Sequence, residues 1–262
     1  MKSSASRYWV FLGKEITESI RTKRLLVLAC VFIILTIIGV LMARYAGEII
    51  AALMRADGAT QMVIEMPPPV WTDSYAQLYS GLTEMGMIGV IMLFMGIILR
   101  EKNSGTIDLI FAKGLSPASF VLAKFTVAGI ALLLVLLASI FVAYGYTMVL
   151  FEYAGRVGDV LMGGVSFGVF LLMMLAIVML WSAVAKSTAI SAVLGLASFF
   201  AIMLLDFIPV VGRFMPASLM SHAAVLSAGE SYTDMAIHVL VAAAVIAVSL
   251  AMTTQILKKR EG

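Results

Sequence analysis

Long apolar segments alternate with short polar ones along nearly the whole chain. A helix that crosses a bilayer needs about 20 mainly apolar residues, and six segments approach or exceed that length. They are residues 25–43, 81–99, 121–151, 160–184, 189–208 and 235–257. The pattern predicts an all-α membrane protein, with one six-span domain over residues 1–262.

The composition agrees with this prediction. Of the 262 residues, 62% are hydrophobic and 13% are charged, whereas a soluble domain is about 45–50% apolar and about 25% charged. The single cysteine, Cys30, lies in the first apolar segment, so no disulfide within the chain is expected. That segment is too long for the apolar part of a cleavable signal peptide, and we interpret it as a span.

Basic residues are unevenly distributed between the two sides of the predicted spans. Only Arg44, Arg55, Arg156 and Arg213 fall on the side opposite the N-terminus, which leaves 14 of the 18 basic residues on the N-terminal side. Lysine and arginine mark the cytoplasmic side of a membrane protein. The sequence therefore predicts a plasma-membrane protein with both termini in the cytoplasm. The net charge of +3 reflects this topology, so no nucleic-acid partner is expected.

The segment before the first span predicts an amphipathic helix over residues 7–24. Its apolar residues recur at helical spacing: Trp9, Leu12, Ile16 and Ile20. Charged residues lie mostly on the other side, a pattern typical of a helix in the membrane interface. Two roles stay open for it, a generic anchor and the docking of a partner.

Two longer segments are predicted on the opposite side of the membrane. In residues 44–80 a proline run at 67–69 breaks any helix, and residues 46–54 either continue the first span or form a short interfacial helix. Residues 209–234 contain two prolines and a short apolar helical stretch at 219–228. That stretch is too short to cross the bilayer, which predicts a re-entrant or interfacial helix.

The most distinctive polar segment joins spans two and three, at residues 100–125. After a charged cluster and a turn, residues 106–112 predict a short helix with Thr106 as its N-cap. Ser116 then caps a new helix whose first residue is Pro117. This helix leads directly into span three.

The short helix is strongly apolar although it is predicted to lie outside the bilayer. Its apolar residues are Ile107, Leu109, Ile110 and Phe111. Exposed apolar surface of this kind indicates a binding site. The residues alone leave two interpretations open: a helix that docks into a partner, or a helix that lies flat on lipid head groups.

The same segment resembles the cytosolic loop of ABC transporter permeases of the type-2 exporter class. The shared features are Arg100-Glu101, Gly105-Thr106, Leu109-Ile110, Leu115-Ser116-Pro117 and Ala123-Lys124-Phe125. Two departures are mild: Asn103-Ser104 replace a second acidic residue, and Ala123 replaces a glycine. The resemblance extends to the amphipathic helix, the six spans and the broken segment before span six.

The resemblance implies a function and partners. The chain would be the membrane-spanning subunit of an ATP-driven exporter, with a second permease subunit (another copy or a paralogue) and two copies of a separate ATPase. ATP and magnesium would bind to the ATPase, because this chain lacks the G-x-x-x-x-G-K-[ST] phosphate loop. The chain itself is expected to be no enzyme and to hold no cofactor or metal. Its other partners are membrane lipids.

The resemblance also implies which residues couple the chain to the ATPase: Glu101, Gly105, Thr106, Leu109, Ile110, Phe111 and Lys124. The cargo is less defined by the sequence. Apolar spans and small outer segments favour a hydrophobic or peptide substrate.

One alternative function is a rhomboid-like intramembrane serine protease. Residues 164–168 match the G-x-S-x-G pattern around Ser166, and His238 lies in span six. Against it, span two contains no histidine or asparagine that would supply oxyanion contacts. Gly164 and Gly168 also have the four-residue spacing of closely packed helices.

Two further alternatives are a membrane binding or immunity protein, which would lack a coupling helix, and an ion-coupled carrier. A carrier usually needs charges in mid-membrane, whereas Glu84 and Asp206 lie near the ends of their spans. His222 has no companion ligands in the sequence, which again favours a chain without a metal site.

Overall fold

We describe the protein from a computed structural model, in which residues 4–56, 68–232 and 234–259 are described. Six helical segments in this part of the chain are long and apolar enough to cross a membrane. They are Leu25–Leu53, Trp71–Asn103, Pro117–Phe151, Val157–Val184, Thr188–Asp206 and Met235–Lys258. The predicted all-α class with six spans is confirmed.

The described residues form a series of helices. In chain order they are α1 (Ser4–Arg21), α2 (Arg24–Ala56), α3 (Trp71–Gly81), a π-helical turn (Leu82–Gly86), α4 (Met87–Phe94), α5 (Leu99–Asn103), α6 (Thr106–Ala112), α7 (Pro117–Phe151), α8 (Val157–Val184), α9 (Thr188–Asp206), α10 (Pro209–Gly212), α11 (Ser218–Ser221), α12 (Ala223–Ser227) and α13 (Met235–Lys258). Span two comprises α3 to α5, and the other spans are α2, α7, α8, α9 and α13.

The first two spans are longer than their apolar segments suggested. Residues 46–54 continue α2. The backbone hydrogen bonds of a helix can continue past polar residues, so the end of the apolar segment is not the end of the helix. Span two begins at Trp71 rather than near residue 81. Its start is fixed by Asp73, whose Oδ2 accepts a hydrogen bond from the amide of Val70 at 2.9 Å. Of the predicted proline break, 68–69 are non-helical and Pro67 lies outside the described residues.

Helix α8 occupies the centre of the molecule and packs against α4, α7, α9, α12 and α13. Close approach is possible because glycines face its neighbours. A Cβ at Gly168 would lie 2.9 Å from the side chain of Leu133, and one at Gly164 would overlap Ile140. These two glycines therefore act as packing residues, as their four-residue spacing allowed.

Before span six, α11 and α12 pack onto α8, α12 also packs onto α3, and α10 packs onto α9. The predicted helical stretch at 219–228 is present as α11 and α12, which are divided at His222. Ser166 of α8 donates a hydrogen bond to the carbonyl of Leu219 at 2.6 Å, and the hydroxyls of Tyr79 and Ser227 lie 3.2 Å apart. The segment closes the bundle on the side opposite the N-terminal helix.

Candidate functional site

Five charged side chains from three helices meet on the side of the molecule that carries α1, α5 and α6, which we call the basic face. They form what we call the ion cluster: Lys14, Glu15 and Glu18 of α1, Glu101 of α5 and Lys124 of α7. Helices far apart in the sequence are thereby joined just before α6.

The geometry of the ion cluster is a chain of shared carboxylates. Lys124 Nζ lies 2.9 Å from Glu15 Oε2 and 3.2 Å from Glu101 Oε1. Lys14 Nζ lies 3.0 Å from Glu15 Oε1, 2.7 Å from Glu18 Oε2 and 2.9 Å from Glu101 Oε1. Glu15 and Glu101 each bridge both lysines, so α1 is attached to α5 and α7 at once.

Burial makes these ion pairs interdependent. Lys124 is only 4% exposed, and Glu15 and Glu101 are also buried. A buried ammonium loses its hydration, and here two carboxylates compensate for that loss. For the half-exposed Lys14, burial lowers the pKa, but hydrogen bonds to Glu18 and Glu101 and the charges of the surrounding glutamates raise it more. The net result is a pKa above the usual range of lysine.

The three glutamates alone have the spacing of a cation site. One carboxylate oxygen from each of Glu15, Glu18 and Glu101 lies within 4.8 Å of the others. The Lys14 ammonium already forms an ion pair with all three glutamates. This ammonium group therefore occupies the position that a metal ion would take. That no metal binds this chain stays a prediction.

Beneath the charges, three aromatic rings join α1, α6 and α7. The ring of Phe120 in α7 lies 5.4 Å from that of Phe11 in α1 and 5.7 Å from that of Phe111 in α6. Lys124 Nζ lies 5.2 Å from the centroid of the Phe120 ring. Since aromatic pairs add packing energy to their area burial, α6 is held to the bundle by its own side chains.

Helix α6 has the predicted bounds, Thr106–Ala112, but not the predicted cap. Gly105 is the N-cap, with a left-handed φ of 70°, and Thr106 is the first helical residue. A left-handed conformation is favourable for glycine and costly for threonine. The Thr106 hydroxyl instead lies 2.8 Å from that of Ser104.

The apolar residues of α6 do not share one exposed face. Leu109 is 65% exposed, whereas Ile107 is buried and both Ile110 and Phe111 are partly buried. Between α6 and α1 lies an apolar hollow of about 380 Å³. Its wall is formed by Val10, Phe11, Lys14, Thr106, Ile110, Lys113 and Leu115. Of these four apolar residues, Leu109 alone is therefore exposed.

The predicted apolar stripe of α1 faces outward. Trp9, Ile16 and Ile20 are exposed, and Leu12 is partly buried. Sequence analysis missed that the other side packs inward with Phe11 and Glu15. The available signal was a second stripe at helical spacing, formed by Phe11, Glu15 and Glu18. The helix itself ends at Arg21, before a turn at residues 22–23, rather than running to 24.

A second set of polar contacts, which sequence analysis also missed, fastens α5 to the end of α8. The helical ladder of span two is interrupted at residues 95–98. There Ser182 Oγ accepts hydrogen bonds from the amides of Ile98 and Leu99, both at 3.1 Å. Lys102 Nζ donates to the carbonyls of Ala183 at 2.9 Å and Ala185 at 3.2 Å. We call these four bonds the α5–α8 latch.

The residues of the alternative protease site are not paired with each other. Ser166 Oγ is bonded to the carbonyl of Leu219. His238 Nδ1 lies 2.6 Å from the Tyr232 hydroxyl and 2.8 Å from the carbonyl of Asp234. A serine nucleophile needs a base within hydrogen-bond reach, and this arrangement offers none at Ser166.

The fold and the site together define a multi-pass helical membrane protein whose loop between spans two and three is bound to the N-terminal helix and to span three. The model of the ABC-2 family transporter proteins matches residues 41–254, more than half of the chain, and the chain belongs to that family. A search of curated proteins found no match. Members of this family are membrane subunits that work with an ABC ATPase. Glu101 and Lys124 lie within the matched range, whereas α1 precedes it.

Proposed function

We propose that the chain is the membrane-spanning subunit of an exporter and that α6 is its coupling helix. The observation that supports this most strongly is the ion cluster. It binds α5, which directly precedes α6, to α1 and α7 through Glu101 and Lys124. A displacement of α6 by an ATPase therefore reaches spans two and three through fixed contacts.

The ATPase would be a separate protein present in two copies, and it would bind ATP and magnesium. The chain has no phosphate-binding loop of the G-x-x-x-x-G-K-[ST] type. We place the basic face and both termini in the cytoplasm and the chain in the plasma membrane, because 14 of the 18 basic residues lie on that side.

The transport unit would contain two permease chains, either two copies or a copy and a paralogue. The most apolar windows of α2 and α9 are only 28% and 22% buried, so both helices keep large surfaces for lipid or a second subunit. We place spans one, two and five along the substrate path. Their apolar surfaces favour a hydrophobic or peptide cargo.

The test is a Leu109→Asp substitution, followed by pull-down from detergent of the ATPase that co-purifies with the parent chain. Leu109 is 65% exposed, so the change should leave the fold intact. A carboxylate buried in the contact with the ATPase would cost several kcal/mol, and each 1.4 kcal/mol is about tenfold in affinity. We expect co-purification to be lost.

The matched control is Val210→Asp, at a 78% exposed apolar position on the opposite side of the molecule, which should hold the ATPase like the parent. Phe111→Asp is less informative, because Phe111 packs on Phe120. If the Leu109→Asp chain retains the ATPase as firmly as the parent, α6 rests on lipid and is not the coupling helix.

A further inference from the structure

A cavity of about 90 Å³ lies beside the ion cluster, where spans one, two and three end on the basic face. Charged and apolar side chains share its wall, among them Glu18, Arg100, Glu101, Leu25, Leu93 and Ile97. Leu25 is in the first turn of α2, and Arg100 is in α5 at the end of span two. The cavity thus lies where a membrane changes from acyl chains to head groups.

Among the described residues, Glu101 of the ion cluster lines this cavity with a buried carboxylate oxygen that lacks a hydrogen-bond donor. Its Oε1 is shared by Lys14 and Lys124, whereas its buried Oε2 has no hydrogen-bond partner among the described residues. Glu101 is only 9% exposed. A buried carboxylate oxygen without a donor is unfavourable, so this site favours a ligand with a hydrogen-bond donor, such as an N–H of an ammonium group.

The rest of the wall indicates what carries that donor. Arg100 is exposed at the rim, and its guanidinium matches a phosphate. Leu93 and Ile97 extend from the rim along span two as an apolar surface. Ammonium, phosphate and acyl chain in this order are the parts of an aminophospholipid. The cavity is large enough for a group of a few heavy atoms, such as an ethanolammonium arm.

We propose that this cavity binds the head group of a phosphatidylethanolamine, with its ammonium on Glu101 and its phosphate on Arg100. A phosphatidylcholine head group has no N–H donor for the Glu101 oxygen. A metal ion would need the carboxylates that Lys14 already holds. The bound lipid would stabilise the junction of α1, α5 and α7 on which the ion cluster depends.

The proposal is tested on the purified full-length chain in phosphatidylcholine nanodiscs. Phosphatidylethanolamine is added, in parallel with its mono- and dimethylated forms. Binding to the folded state alone raises stability by mass action, so we expect Tm to rise by about 2 °C or more and the rise to shrink with each methyl group. Equal stabilisation by phosphatidylethanolamine and phosphatidylcholine would overturn the proposal.

Variants assign the effect to the cavity. Glu101→Gln and Arg100→Gln should each abolish the preference for phosphatidylethanolamine, and Asp108→Asn, at an exposed carboxylate of α6, should keep it. Because Arg100 is exposed, the Arg100→Gln variant should fold, and it tests the cavity if Glu101→Gln does not fold. A preference retained by both variants contradicts the proposal. If soluble phosphoethanolamine, added without the lipid, raises Tm as much as phosphatidylethanolamine does, the ligand is not a membrane lipid and the assignment is overturned.

Discussion

Lys124 shows how strongly one side chain depends on residues distant in the sequence. Its ammonium is almost completely buried in α7, and its ion partners are Glu15 of α1 and Glu101 of α5. Removing one member of a buried ion pair leaves the other charged and without a partner. The ion cluster should therefore be sensitive to loss of any central member.

We predict that Lys124→Met destabilises the chain by about 3–5 kcal/mol, the usual effect of breaking a buried pair. The measurement is denaturant unfolding in detergent, with Lys186→Met as control at an exposed lysine of the same face. The double variant with Glu15→Gln should lose less than the sum of the two single changes, because one of the two carboxylates that lose Lys124 is then neutral. Equal effects of Lys124→Met and Lys186→Met would contradict the role of the ion cluster.

At the scale of elements, the α5–α8 latch joins the end of span two to the end of span four. Helix α5 is only five residues long and follows a break in the ladder, so it has little stability of its own. Ser182 supplies the acceptor that the break leaves missing, and Lys102 binds carbonyls at the end of α8. A short helix fastened at both ends transmits a displacement better than a free loop.

We predict that Ser182→Ala costs about 1–3 kcal/mol, because two buried amides lose their acceptor. Amide hydrogen exchange at residues 98 and 99 should accelerate in the same variant. The control is Ser191→Ala, at a buried hydroxyl without a hydrogen-bond partner among the described residues. If the two variants have the same stability and the same exchange, Ser182 does not hold the break.

At the scale of the whole molecule, burial is concentrated in α8. Its most apolar window is 67% buried, against 17% for α13 and 28% for α2. A single chain is thus a bundle around one central span, with outer spans that keep apolar surface for lipid or a second subunit. The orientation of that bundle determines which face an ATPase can reach.

We predict that the basic face is cytoplasmic. In a Cys30→Ser background, Asn103→Cys should react with a membrane-impermeant thiol reagent only after the cells are opened. Glu230→Cys, on the opposite side, should react in intact cells. Both positions are exposed, and the exposed Cys30 must be removed first. Labelling of position 103 in intact cells would reverse the proposed topology.

Local features of the sequence were sufficient for the number of spans and for the bounds of α6. A span depends on a run of apolar residues, so the number of spans follows from composition along the chain. The bounds of α6 depend on neighbours in sequence: Gly105 and Gly114 both have positive φ, and Ser116 caps the helix that Pro117 begins. These interactions involve residues only a few positions apart, so they can be predicted from the sequence without knowledge of the tertiary structure.

The tertiary structure alone decided how α1, α5 and α7 meet. Lys124 and Glu15 are 109 residues apart, and no periodicity in either helix marks them as partners. The charged side of α1 therefore indicated only a helix in the membrane interface, although Glu15 is buried against the bundle. The Ser182 contacts also join residues far apart in the sequence, 84 and 83 positions. Hydropathy reports whether a residue suits water or lipid, but a buried charge is stable only through its partner, and the fold determines which partner it has.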